Sequence, residues 1–116
     1  MVVRQQHRPA TEKLGPAQLQ GIADLFGLLS EPTRLRILQM LQDGPAAVSE
    51  IGDQLDIKQA NASKQLGLLH AAGVLDRRRD GNRVEYSIRM PLVFQLCELV
   101  CNGLRDDAEA RLAALQ

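Results

Sequence analysis

The sequence has no tryptophan and only three aromatic residues, Phe26, Tyr86 and Phe94, among 116. Its core must therefore be built from Leu, Ile, Val and Ala. It has only two cysteines, Cys97 and Cys101, which excludes a disulfide framework and fits a reducing cytoplasm. No stretch approaches the roughly 18 apolar residues needed to span a bilayer, so no membrane association is expected. Met1 to Gln20 lacks an apolar run followed by a small-residue cleavage site, and no secretory signal is read there. There is no glycine-rich phosphate loop, no HExxH, and no Ser or Cys beside a plausible His base. An enzyme is therefore not expected. Net charge is also lacking, since 14 Lys/Arg balance 14 Asp/Glu.

That balance hides a strong asymmetry. Residues 1–57 carry five Lys/Arg and seven Asp/Glu, residues 58–90 carry seven against three, and residues 91–116 carry two against four. Phosphate contact requires a local basic patch rather than a basic chain. A solvated charged face would give the same count, so charge alone does not decide between them.

Length and an ordinary composition indicate a single globular domain. Residues 1–15 mix charge, Gln and Pro and read as a flexible arm, made basic by Arg4, Arg8 and Lys13. The domain proper is expected over residues 16–116. A first helix is predicted from Pro16 to Leu29, with Leu19, Ile22, Phe26 and Leu29 at helical spacing. Ser30 reads as the N-cap of a second helix, with Glu31 and Pro32 in its first turn. That helix stops at Asp43-Gly44-Pro45. A third, short helix covers Val48–Leu55, and a fourth covers Gln59–Ala72, closed by Gly73. The period then changes from helical to alternating. Leu75–Arg79 and Arg83–Ile88 read as two strands around an Asp80-Gly81 hairpin turn. Pro91 opens a last helix to Leu115, with an apolar stripe through Val93, Cys97, Val100, Leu104, Ala108 and Leu115. The fold class is mainly α with a β-hairpin wing, in the order α-α-α-α-β-β-α.

Two short helices joined by three residues, followed by a basic hairpin, form a winged helix-turn-helix. The fourth helix would bury Ala62, Leu66 and Leu69 and turn Gln59, Asn61, Ser63, Lys64 and Gln65 outward. Such short polar side chains can reach base edges and phosphates in a major groove. In the wing, Arg77, Arg79, Asn82 and Arg83 are candidate phosphate or minor-groove contacts, and strand alternation sends Arg78 to the face opposite Arg77 and Arg79. A winged helix that binds protein is the rival reading. The arginines and the polar recognition face favour duplex DNA.

Three segments in order, LSEPTRLRILQML, VSEIGDQLDIKQANASKQLGLLHAAGVL and RRRDGNRVEYSI, resemble the ArsR/SmtB family of bacterial metal- and thiol-responsive repressors. The resemblance spans residues 14 to 104. It implies a cytoplasmic homodimer held by the first and last helices. That dimer would bind an imperfect inverted repeat in double-stranded DNA and release it when an effector binds. The family's base-reading positions fall on Gln59, Asn61, Ser63, Lys64 and Gln65. The family often caps this helix with Ser or Thr, where this chain has Lys58. Two of the family's metal sites have no counterpart. The segment Ala46-Ala47-Val48-Ser49-Glu50 lacks the cysteine pair found near the third helix, and the last helix has no histidine.

The two thiols remain. Residues at i and i+4 share a helix face with Cβ atoms about 5–6 Å apart, whereas a disulfide wants about 3.5–4.5 Å. Cys97 and Cys101 are thus read in three ways. The first makes them small buried hydrophobes. The second makes them ligands for a soft metal or a trivalent arsenic or antimony centre, completed by a second subunit. The third makes them thiols that sense an oxidant or reactive sulfur. The cofactor is left unknown.

Overall fold

The computed structural model describes residues 13–116, so Arg4, Arg8 and most of the expected arm lie outside the described residues. The elements run α1 (Pro16–Leu29), α2 (Pro32–Leu41), β1 (Ala46–Ala47), α3 (Val48–Leu55), α4 (Gln59–Ala71), β2 (Leu75–Asp80), β3 (Arg83–Ile88) and α5 (Leu92–Ala114). Four predicted helices, the hairpin and the long final helix are all present. The expected order omitted one element, the strand β1. It pairs antiparallel with β3, Ala46 opposite Tyr86 and Ala47 opposite Glu85, and gives a sheet in the order β1-β3-β2. Two alanines carry no strand signal of their own. They become a strand because they are buried beside β3, where buried backbone groups need hydrogen-bond partners.

The helix boundaries have identifiable local causes. Glu31, rather than Ser30, is the N-cap of α2: its two carboxylate oxygens accept from Thr33 N at 3.0 Å and Arg34 N at 3.1 Å. Those hydrogen bonds, with Thr33 the largest contributor, hold the Glu31 carboxyl below its ordinary pKa. The Ser30 hydroxyl instead donates to the Gly27 carbonyl at 2.6 Å and closes α1. Between α3 and α4, Asp56 takes the left-handed conformation (φ 54°), and Ile57 N donates to Gly52 O at 3.0 Å. A Cβ at residue 52 would stand 3.1 Å from the Ile57 carbonyl oxygen, so glycine lets the turn fold back this tightly. The hairpin turn is shifted by one residue from expectation. Asp80 pairs with Arg83, and Gly81-Asn82 form the loop, with Gly81 at φ 63° as a type II′ turn requires at its first central position.

One core holds α2, α3, α4 and the sheet together. Ile37, Leu38, Ile51, Ala62, Leu66, Leu69, Val74, Leu75, Tyr86 and Val93 are all buried in it. It contains the three α4 positions expected to face inward. The periphery is different. Helix α1 has no buried residue, and the 23-residue α5 has one, Val93. Leu19, Ile22 and Phe26 on α1, and Leu99, Val100, Leu104 and Leu112 on α5, are exposed. Among the described residues no helix is long and apolar enough to cross a membrane.

Candidate nucleic-acid interface

Helix α4 is fixed from below by Ala62, Leu66 and Leu69, each fully buried. Its 3.6-residue period then leaves Gln59, Asn61, Ser63 and Lys64 exposed on the outer side. Gln65 is placed differently. It is half-buried, its Oε1 accepts from Arg34 Nη1 at 2.9 Å, and its Nε2 donates to Asn61 Oδ1 at 3.0 Å. Both ends of its amide are occupied inside the protein, because Arg34 on α2 lies directly beneath it. Sequence spacing places Gln65 at the edge of the outer face but carries no sign of this partner.

The wing register sorts the arginines by face. Arg77 stands opposite Tyr86 and Arg79 opposite Val84, so these two share a face. Arg78 stands opposite Glu85, on the other face, as strand alternation requires. The first pair points back toward α4: Ser63, Arg77 and Arg79 line one groove of 440 Å³ floored by Val48, Val84 and Tyr86. A second groove, of 490 Å³, joins Gln59 to Asn82 and Arg83 beside Ser49. The fold thus brings the helix and wing candidates together in two groups. Lys64 and Asn61 belong to neither and stand on the open side of α4. Ser49, which sequence reasoning did not select, lies at the start of α3 where the second groove begins.

Arg83 does not share the environment of Arg77 and Arg79. Its Nε donates to Glu85 Oε2 at 3.0 Å, and its Nη2 is in close contact with Glu50 Oε1. These bonds, that from Glu85 the larger, push the Arg83 pKa further up. Glu50 in turn accepts from Ala47 N at 3.0 Å, reaching back from the first turn of α3 to the residue before it. That backbone hydrogen bond, reinforced by Arg83, holds the Glu50 carboxyl below its ordinary value. Arg83 therefore ties the wing to α3 through one carboxylate. His70, in the last turn of α4, is half-buried. Its ring packs edge-on against Tyr86, with centroids 6.4 Å apart.

The cysteines are free and exposed in the single chain. With Phe26, Leu29, Val100 and Leu104 they line an apolar groove of 410 Å³ between α1 and α5. Among the described residues no three His, Cys, Asp or Glu side chains are grouped to hold a metal ion. The described part of one chain therefore offers two thiols and no third ligand beside them.

Comparison with known proteins matches this architecture. A family model described as a helix-turn-helix domain matches residues 29–78, from the end of α1 to the start of the wing. The chain is 36% identical over 95 residues to the HTH-type transcriptional regulator Rv0081 of Mycobacterium tuberculosis, covering 81% of this chain and 83% of that one. It is 34% identical over 88 residues to a probable mercury resistance operon repressor of Streptomyces lividans, covering 76% and 70%. The crystal structure of Rv0081 superposes with a TM-score of 0.73 at 33% identity, covering 85% of this chain and 99% of that one. The solution structure of the homodimeric winged helix-turn-helix domain of Mb0332 from Mycobacterium bovis, a possible ArsR-family regulator, gives a TM-score of 0.68 at 29% identity, covering 87% and 91%. With the same helices, the same wing and relatives of this identity over most of its length, the chain belongs to the ArsR/SmtB family of winged helix-turn-helix transcriptional regulators.

Proposed function

We propose that this protein is a transcriptional repressor that binds an imperfect inverted repeat in duplex DNA as a homodimer, with α4 in the major groove and the wing against the backbone. One observation carries the reading: the exposed polar face of α4 and the arginines of the wing converge, with Ser63 facing Arg77 and Arg79 across one groove and Gln59 facing Asn82 across the other. Helix α4 rests on a buried apolar seat; Gln59, Asn61, Ser63 and Lys64 in its first two turns are polar and exposed, and its one large exposed apolar side chain, Leu68, lies further along, toward its C-terminal end. A protein-binding winged helix would be expected to offer an apolar patch there. In this reading Gln59, Asn61, Ser63 and Lys64 meet bases and phosphates, Arg77, Arg79 and Asn82 meet the backbone, and Arg83 anchors the wing. The exposed apolar faces of α1 and α5 form the two-fold interface, and the symmetry spaces the two copies of α4 by about 34–36 Å, one turn of duplex. That the similar domain of Mb0332 is homodimeric supports the pairing of two copies.

Fluorescence anisotropy on an operator duplex tests the assignment. Lys64→Ala and Gln59→Ala should each weaken specific binding by about 1–3 kcal/mol while the dimer stays folded. Unchanged affinity in both would remove α4 from the interface.

The effector is proposed to act at Cys97 and Cys101. Their place in the α1–α5 groove puts them on the proposed dimer face, and a second copy would bring two more thiols to two that cannot close a site alone. A soft metal, arsenite or antimonite fits thiolate ligands, and an oxidant or reactive sulfur species acts on the same atoms. The S. lividans relative, named for mercury resistance, supports a thiol-reactive inducer. A bond made there would rotate one subunit against the other and move the recognition helices off their one-turn spacing. Cys97→Ser/Cys101→Ser should bind the operator normally and no longer release it on addition of mercury(II), arsenite or polysulfide. Release matching that of the parent protein would place the sensor elsewhere.

A further inference from the structure

A guanidinium has five N–H donors and no acceptor. Arg34 uses three groups on three partners. Its Nε donates to Leu28 O at 2.6 Å and its Nη2 to Gly27 O at 3.4 Å, both carbonyls from the last turn of α1. Its Nη1 donates to Gln65 at 2.9 Å. Because Arg34 can only donate, the Gln65 atom facing it must be the carbonyl Oε1. The Gln65 amide nitrogen is thereby turned the other way, and its Nε2 donates to Asn61 one helical turn back, at 3.0 Å. That nitrogen is also a donor only, so the Asn61 atom facing it must be Oδ1. The remaining end of Asn61, the Nδ2 with its two N–H groups, is left to point away from the protein on the exposed side of α4.

We propose that Arg34 and Gln65 are positioning residues that fix the polarity of Asn61, so that this side chain meets DNA as a hydrogen-bond donor. This rests on the reading of α4 as the DNA-reading helix. A free asparagine offers donor and acceptor together and pairs both with the N6 and N7 of adenine. Oδ1 keeps a second lone pair but is held toward Gln65, so Asn61 addresses an acceptor through Nδ2: N7 of adenine or guanine, O6 of guanine, O4 of thymine, or a phosphate oxygen. Every link is directional, and the direction originates in a side chain on α2 that does not itself face the duplex. The relay also begins on α1, so the helix proposed to pair the subunits is hydrogen-bonded, through Arg34 and Gln65, to a residue proposed to read DNA.

Gln65→Glu reverses the last link while preserving the first. A glutamate at 65 accepts from Arg34 as an ion pair but has no donor for Asn61. The Asn61 amide then turns to donate to the new carboxylate and presents Oδ1 outward. Operator preference is measured by selection from a randomised duplex, and affinity by anisotropy, with thermal melts confirming the fold. If Asn61 meets a base, Gln65→Glu should change the preferred base at one position of each half-site from an acceptor-presenting to a donor-presenting one, with a preference change of about 5- to 150-fold. If it meets a phosphate, affinity should fall alike for all sequences. Asn61→Asp presents acceptor oxygens outward without disturbing Gln65, and should shift preference or affinity in the same direction. In an Asn61→Ala background, Gln65→Glu should produce no shift of preference and only a small, sequence-independent charge effect.

The proposal is overturned if Gln65→Glu keeps the parental preference and affinity, or if it shifts preference equally with Asn61 absent, since Gln65 would then act on DNA by itself. It is also overturned, with α4 still the reading helix, if Asn61→Ala and Asn61→Asp are silent while Lys64→Ala weakens binding. Silence of Asn61, Lys64 and Gln59 together would remove the reading of α4 itself.

Discussion

Helices α4 and α5 both carry leucines at helical spacing, yet these end in opposite environments. Three apolar residues of α4, Ala62, Leu66 and Leu69, are fully buried within the chain, whereas α5, nearly twice as long, buries only Val93 near its start. Leu104 is 66% exposed. The same leucine chemistry thus stabilises the monomer in one helix and waits for another surface in the other. The difference shows where the chain's own core ends: at the first turn of α5. Beyond it, with α1, the molecule has apolar area without cover, and an exposed contiguous apolar surface of this kind marks an interaction face. The reading part of the molecule is therefore self-sufficient, and the pairing part is not.

Leucine substitutions in the two helices sharpen that comparison most. Leu104→Glu, a change felt in both copies across a two-fold interface, should raise the dimer dissociation constant by more than about a hundredfold, since burying one leucine contributes about 1.5–3 kcal/mol. Sedimentation at a series of concentrations would register it as a monomer with unchanged helical content. An unaltered dimer would mean that α5 does not carry the interface. Leu66→Ala should instead cost about 2–5 kcal/mol of stability within the subunit. Chemical denaturation would show that loss even in the Leu104→Glu background, where no dimer contributes.

The wing offers a second, smaller contrast. Among the described residues Arg77 and Arg79 have no ion pair, and they line the α4 groove, while Arg83 is bound to Glu50 and Glu85. Removing Arg77 and Arg79 should flatten the salt dependence of DNA binding by about 0.9 for each phosphate that is no longer neutralised. Arg83→Ala should change that slope less and loosen the wing instead. Equal slopes for all three arginines would make Arg83 a phosphate ligand as well.

The smallest effect is expected in acid. The carboxyls of Glu50 and Glu31 titrate below their ordinary value of 4.5, mainly through backbone hydrogen bonds from Ala47 and Thr33 respectively. A depressed pKa in the folded state means the unfolded chain takes up protons first. The stabilisation is then complete above the ordinary value and is lost as pH falls through the lowered one. Stability of the parent should thus decline below about pH 4.5, and Glu50→Gln should decline less steeply, with Glu31 still contributing. Parallel curves from thermal melts between pH 5 and 3 would show that Glu50 adds nothing to the linkage.

Most of the architecture is legible in the sequence. Helical spacing locates all five helices, a change to alternation locates the hairpin, and Gly73 and Gly81 mark a helix end and a turn through their positive φ. These signals are local: a backbone preference or a repeat along the chain is enough to produce them. The strand β1 and the Glu31 cap escape sequence reading for related reasons. A two-alanine strand exists only because β3 lies beside it, and whether Ser30 or Glu31 caps α2 depends on which side chain reaches the free N–H groups.

The site divides in the same way. Which residues of α4 face outward follows from periodicity, and which wing arginines share a face follows from strand alternation. These are consequences of covalent geometry and repeat, and the amino-acid sequence determined them by itself. The engagement of Gln65 by Arg34, of Arg83 by Glu50, and of His70 by Tyr86 joins residues between 16 and 33 positions apart. Only the tertiary structure decided those, because a hydrogen bond between elements depends on how the elements pack, and packing is set by the whole core rather than by any segment of it. The apolar stripe that carries Cys97 and Cys101, and its expected role in pairing, follow from the sequence. That both thiols are exposed in the single chain is a tertiary fact, because the core closes without them.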